Sequence, residues 1–139
     1  MRCEIGVDLV AMARIEQAVE RFGERFLKRI YTPGELEYAL ADVHKWEHLA
    51  ARFAAKEAAS KALGTGMVGV GWKDFEVERL RSGKPLLRLS GRAAQFAQDA
   101  GLTQWSVSLA HDADAKLAIA TVVAWGDGGG GIGDEEMRR

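Results

Sequence analysis

Three side chains are of types and spacings that could do chemistry together: Asp8, Glu57 and Lys61. Asp8 interrupts the apolar run from Glu4 to Val10, and Glu57 sits inside an alanine-rich stretch, so both carboxylates fall where burial without a partner is costly. A positive group should lie near them. Two carboxylates from separate elements, with substrate phosphates and waters completing an oxygen shell, are a common way to hold Mg²⁺. Lys61 follows Glu57 by one helical turn and projects from the same face, which would put a carboxylate and a cation at one site. Plainer readings stand beside this one. Glu57 and Lys61 could form an ordinary surface ion pair worth about 0.3–0.5 kcal/mol, and Asp8 could cap the next helix. Spacing alone does not choose between them.

Other candidates are weaker signals. Gly64-Thr65-Gly66 could offer backbone amides to a phosphate, or could simply stop a helix. Gly83-Lys84-Pro85 invites the same two readings. His111 beside Asp112 is either a catalytic pair or a solvated turn. His44 and His48 have helical metal-ligand spacing but no third ligand, which argues against zinc. Arg14, Arg21, Arg25 and Lys28 follow one another at seven, four and three residues, making a basic stripe beside an apolar one. Such a stripe either snorkels to solvent or docks an acidic helix.

These residues need elements to position them. The run from Glu4 to Val10 reads as a strand, with Asp8 better suited to its edge or end than its middle. Ile15, Val19, Phe22, Phe26 and Ile30 form one helical stripe and predict a single amphipathic helix from Arg14 to Ile30. Thr32-Pro33-Gly34-Glu35 carries a capping box that opens a short helix ending near Asp42. Trp46 to Leu63 holds seven alanines and predicts a long helix that other elements can approach closely. Phe75–Leu80 and Leu86–Leu89 read as a hairpin around Ser82–Pro85. Arg92–Ala100 reads as helix, and Trp105–Leu109 and Leu117–Trp125 as strands joined by a turn from His111 to Lys116. Without regular β-α-β alternation, the expected class is α+β with an antiparallel sheet.

Composition bounds the function. With 139 residues and 47% hydrophobic content the chain suits one domain, expected over 1–125, followed by a glycine-rich disordered tail over 126–139. Nineteen Lys plus Arg nearly cancel 20 Asp plus Glu, so total charge points to neither nucleic acid nor membrane. The single cysteine, Cys3, excludes an intrachain disulfide, and no apolar run suggests a signal peptide or a membrane helix. A cytoplasmic location is expected.

Taken jointly, Ile5-Gly6-Val7-Asp8-Leu9-Val10 with Arg14-Ile15, the segment Arg52-Phe53-Ala54-Ala55-Lys56-Glu57-Ala58-Ala59-Ser60-Lys61-Ala62, and Gly64-Thr65-Gly66 resemble the signature of bacterial holo-(acyl carrier protein) synthases. The Gly83-Lys84-Pro85 turn and Ser106–Leu109 extend the likeness from about Glu4 to Trp125. The resemblance implies a 4'-phosphopantetheinyl transferase-like fold, an antiparallel sheet packed on the alanine-rich helix, in a homotrimer with active sites between subunits. It implies that Asp8 and Glu57 bind Mg²⁺ with the pyrophosphate of coenzyme A, that Lys61 acts near the transferred phosphate, and that Arg52 and Lys56 meet the cofactor's phosphates. By the same likeness Gly64, Thr65, Gly66, Gly83, Lys84 and Pro85 line the coenzyme site, and Arg14, Arg21 and Arg25 dock the apo-acyl carrier protein. Where many members have Ser-x-Ser-His, this chain has Ser108-Leu109-Ala110-His111, so a coenzyme contact for His111 rests on a departure from the pattern.

The implied reaction is in-line attack of the carrier's serine on the β-phosphorus of coenzyme A with departure of adenosine 3',5'-bisphosphate; Glu57 and a water on the metal are alternative bases. Two rivals of other classes remain: a non-catalytic carrier-binding module, and a small RNA-binding protein using the arginine stripe. A buried carboxylate pair is of no use to the first. Near-neutral charge, and no aromatics interleaved with that stripe, argue against the second.

Overall fold

The computed structural model describes residues 1–128. Strand β1 (Arg2–Ala11) leads into helices α1 (Met12–Phe22), α2 (Glu24–Ile30), α3 (Pro33–Leu40) and α4 (Lys45–Leu63). A 3-10 turn at Trp72–Asp74 precedes the hairpin of β2 (Phe75–Arg79) and β3 (Pro85–Leu89), helix α5 (Gly91–Asp99), and strands β4 (Gln104–Asp112) and β5 (Leu117–Gly126). Both sheets are antiparallel, one in the order β1-β5-β4 and the other the β2-β3 hairpin, so the α+β expectation holds.

Small side chains set the central packing. Ala54, Ala58 and Ala62 of α4 and Ala118, Ala120 and Ala124 of β5 are all buried, so helix and sheet approach closely. Gly6 takes this furthest: a Cβ there would sit 1.9 Å from the Ala58 carbonyl oxygen. Period-2 alternation then sends Asp8 and Val10 to the same inner face as Gly6. It leaves Ile5, Val7 and Leu9 exposed on the outer face, where Ile119 of β5, opposite Leu9, joins them.

The single helix expected from Arg14 to Ile30 is two. Gly23 has φ 62°, in the left-handed region that glycine adopts without a Cβ penalty, and its amide bonds to Val19 O to close α1. The five-residue apolar stripe is correspondingly cut, and Phe22 is exposed. The capping box is present as read: Thr32 Oγ1 accepts from the Glu35 amide at 3.2 Å, and Glu35 Oε1 accepts from the Thr32 amide at 2.9 Å. Replacing Thr32 by alanine is expected to cost about 1 kcal/mol in urea unfolding, while serine retains most of the cap.

Two further boundaries differ. His111 and Asp112 belong to β4, opposite Ala118 and Leu117, and are not in the turn. At the far end, β5 continues to Gly126, and the Gly128 amide donates to Gly101 O at 3.3 Å. The remainder of the expected tail lies outside the described residues. Among the described residues, no helix is long and apolar enough to cross a membrane.

Candidate active site

The close approach of β1 to α4 brings Asp8 and Glu57 together. Glu57 is pushed up to about 7, first by desolvation and then by the neighbouring Asp8 carboxyl; Arg14 and Lys61 oppose the shift. Asp8 Oδ2 is buried without a hydrogen-bond partner. Lys61 Nζ donates to Asp8 Oδ1 at 3.1 Å and to Val7 O at 3.0 Å. Arg14 Nη2 lies 3.6 Å from Glu57 Oε1. Two crowded carboxylates, one with an unused oxygen, therefore face two exposed cations.

Both plainer readings of these residues fail. Lys61 pairs with Asp8 of another element and not with Glu57. The cap of α1 is Ala11, with no side-chain bond, so Asp8 does not cap it. The donor set is hard oxygen, and a dication between the two carboxylates would relieve their repulsion and use the orphan oxygen, which fits Mg²⁺.

Other candidates fall elsewhere. Lys56 is fully buried, and its three protons go to Glu35 Oε1 at 2.7 Å, Trp72 O at 3.2 Å and Phe75 O. It has no donor left for a phosphate, so its expected cofactor role is corrected to a structural one. Arg52, five residues before Glu57 and so about 140° around the helix, lies against the Tyr38 ring at 4.5 Å, away from the carboxylate pair. The amides of Gly64, Thr65 and Gly66 all turn back to Ser60 O, at 3.0, 3.2 and 3.1 Å, so this triplet is a helix stop and not a cradle of free N–H groups. Gly83, Lys84 and Pro85 line a groove of about 490 Å³ with Arg79 and Ser108. His111 Nδ1 lies 3.4 Å from Glu47 Oε2 at the start of α4. Of the remaining histidines, His48 faces Asp42 at 2.9 Å and His44 faces the other Glu47 oxygen at 3.6 Å. Among the described residues, no group of three or more His, Cys, Asp or Glu could hold a metal, so any ion at Asp8 and Glu57 needs ligands from elsewhere.

The 4'-phosphopantetheinyl transferase superfamily model matches residues 4–122. A holo-(acyl-carrier-protein) synthase of Solibacter usitatus is 51% identical over 119 residues, covering 85% of this chain and 94% of the relative. That of Carboxydothermus hydrogenoformans is 52% identical over 122 residues, covering 88% and 97%. The chain belongs to the holo-(acyl-carrier-protein) synthase family. Its fold agrees with solved members. The Neisseria meningitidis synthase matches with a TM-score of 0.80 at 33% identity, covering 88% of this chain and 97% of that one. The Helicobacter pylori synthase, solved in complex with coenzyme A, matches with a TM-score of 0.76 at 35% identity, covering 87% and 99%.

In this synthase-family chain the helical break places the basic residues on two helices, Arg14 and Arg21 on α1 and Arg25 on α2. Between them and α4 lies a cleft of about 370 Å³ lined by Phe22, Phe26, Phe53 and Trp72 and rimmed by Arg25 and Arg29. Phe53 stacks on Trp72 at 4.7 Å, and Arg14 covers Phe53 at 4.9 Å. Sequence reasoning missed Phe53, Trp72 and Arg29 here. Phe53 carried a signal, since it stands in the same motif as Glu57, but Trp72 is distant in the chain and gave none.

Proposed function

We propose that this protein transfers the 4'-phosphopantetheine group of coenzyme A to a serine of an apo-acyl carrier protein, with Mg²⁺, releasing adenosine 3',5'-bisphosphate. The adjacency of Asp8 and Glu57, with Lys61 and Arg14 beside them, carries this reading. Asp8 and Glu57 would hold the ion, which when bound would neutralise charge gathering on the pyrophosphate oxygens. The serine oxygen forms a bond to the β-phosphorus as the bond from that phosphorus to the bridging oxygen breaks; the electron pair leaves with the bisphosphate, and the serine proton passes to Glu57 or to a water. Lys61, 53% exposed at its side chain, is free to swing from Asp8 and to hydrogen-bond or protonate the leaving phosphate. The test is to incubate the protein with apo-carrier, coenzyme A and Mg²⁺ and weigh the carrier. A gain of one phosphopantetheine supports the reading, and an unchanged mass overturns it in favour of a binding module.

The carrier docks on α1 and α2 through Arg14, Arg21 and Arg25, and one of its apolar side chains enters the Phe26–Phe53–Trp72 cleft. Reversing Arg21 and Arg25 to glutamate should slow association at least about tenfold at low salt and flatten its salt dependence, as read by stopped-flow mixing with the carrier.

The working unit is a homotrimer with sites completed between copies. Supporting this, Asp8 lies on β1, at one edge of the three-stranded sheet, while the Gly83–Pro85 groove borders β4 at the other. A single coenzyme serving both segments would draw them from different chains. The exposed Ile5, Val7 and Leu9 give a neighbour an apolar face to cover. Light scattering should give three times the chain mass of 15.2 kDa, and Val7→Lys should lower it to one.

A further inference from the structure

Helix α5, strand β3 and the start of β4 enclose a groove of about 480 Å³, to which none of the candidate site residues contributes. Its wall is apolar: Leu87 and Leu102 are buried, Leu89 and Trp105 are partly covered, and Leu86 is 37% exposed. Strands β3 and β4 belong to different sheets, so no backbone ladder closes the seam. Among the described residues that line it, Arg88 is the one charged side chain, and its 3.3 Å pair with Glu78 is open to solvent and weak. The chain comes back to this groove at its far end. A Cβ on Gly126 would sit 1.9 Å from Gly101 O, the Thr103 amide donates to Trp125 O at 3.0 Å, and the Gly128 amide donates to Gly101 O at 3.3 Å. Leu102 and Thr103, next after Gly101, are part of the groove wall, so the described residues end at its lip. Residues 129–139 follow: three glycines, Ile132, a further glycine, the acidic run Asp134-Glu135-Glu136, then Met137-Arg138-Arg139.

We propose that residues 129–139 dock in the groove of their own chain, with Ile132 against Leu87, Leu102 and Trp105 and the acidic run beside Arg88. Ile132 is four residues past Gly128, an extended reach of about 13 Å, which is enough to pass from the lip into a groove that begins at Leu102. Gly129, Gly130 and Gly131 put no Cβ in the way of the turn this needs. Burying one isoleucine is a weak contact by itself. Tethering strengthens it, because an attached segment meets the groove at an effective concentration on the order of millimolar, far above that of a second chain in dilute solution. Docked there, the segment bridges the hairpin and the three-stranded sheet, and it leaves the Asp8–Glu57 centre, with the transfer proposed for it, untouched.

Disulfide trapping tests this in the full chain, with Cys3→Ser removing its one native thiol and Gln98→Cys paired with Gly133→Cys. Gln98 lines the groove and is exposed, so the fold should be kept, which circular dichroism verifies. Oxidised glutathione should close the pair within one chain, seen as a single-chain band with no free thiol on a non-reducing gel. Adding Ile132→Asp should slow that closure at least about tenfold, because the apolar anchor is gone while the tether is unchanged. A disulfide between two chains would overturn the proposal and give the groove to a second copy. No disulfide, or closure at the same rate with Ile132→Asp, would overturn it as well. Gln104→Cys, on the β4 wall, takes the place of Gln98→Cys if that variant misfolds, and the same outcomes decide.

Discussion

If the proposed transfer holds, the Glu57→Gln protein is expected to transfer phosphopantetheine at about 10⁻³ of the native rate or less, because it lacks a carboxylate proposed to hold the ion that would neutralise the pyrophosphate. Mass spectrometry of the carrier reads the rate, and Mn²⁺ titration by calorimetry reads the ion separately. Full activity at saturating Mg²⁺ would remove Glu57 from the metal site. The same change has an opposite effect on stability. Glu57 in the metal-free fold titrates near 7, above its ordinary 4.5, so between those values the folded chain holds more protons than the unfolded one. Stability from this group is therefore present at low pH and is lost as pH rises through the window. At pH 8 the metal-free Glu57→Gln variant should melt about 3–5 °C higher than the native protein, corresponding to about 1 kcal/mol after discounting for solvent screening. At pH 5 the two should nearly coincide. Mn²⁺ affinity of the native protein should fall as pH drops below about 7, since protons and metal compete for one carboxylate.

Gly6→Ala is the largest expected loss of stability, about 3 kcal/mol or more. The added methyl would meet backbone atoms of α4, with Ala58 O at 1.9 Å and Ala62 N at 2.9 Å, and no flexible side chain can yield. Strand and helix must separate, and Asp8, two residues along the same face, goes with the strand. Urea unfolding measures the first consequence and Mn²⁺ titration the second. An unchanged midpoint would mean that β1 does not rest on α4 at this position.

Much of this was legible in the chain because it is local. The Thr32–Glu35 box, the alanine run of α4 and the strand alternation each follow from a few neighbouring residues. The cost of burying Asp8 and Glu57 calls only for a positive group near them, and it is the motif resemblance that joins the two at one site. Lys56 was misread because its partners are remote: Glu35 lies 21 residues away and Phe75 19, and nothing around Lys56 distinguishes a buried ammonium from a phosphate ligand. The helical stripe through Gly23 misled for a different reason. Periodicity registers which face is apolar, and a glycine in the middle preserves the count while letting the backbone turn. The Gly64–Gly66 amides were ambiguous for want of direction, which only the fold supplies.

Glu35 does more than close a helical turn. Its two oxygens hold the Thr32 amide, the Lys56 ammonium and the Val77 amide, so one carboxylate joins α3, α4 and β2. The hairpin cannot then breathe by itself. Opening it at Val77 strips a buried anion of one donor while its cation stays fixed, and local fluctuation there becomes bound to rupture of the interior. Amide exchange at Val77 should accordingly follow the slow, global unfolding event and not the faster fraying usual for a two-stranded ribbon.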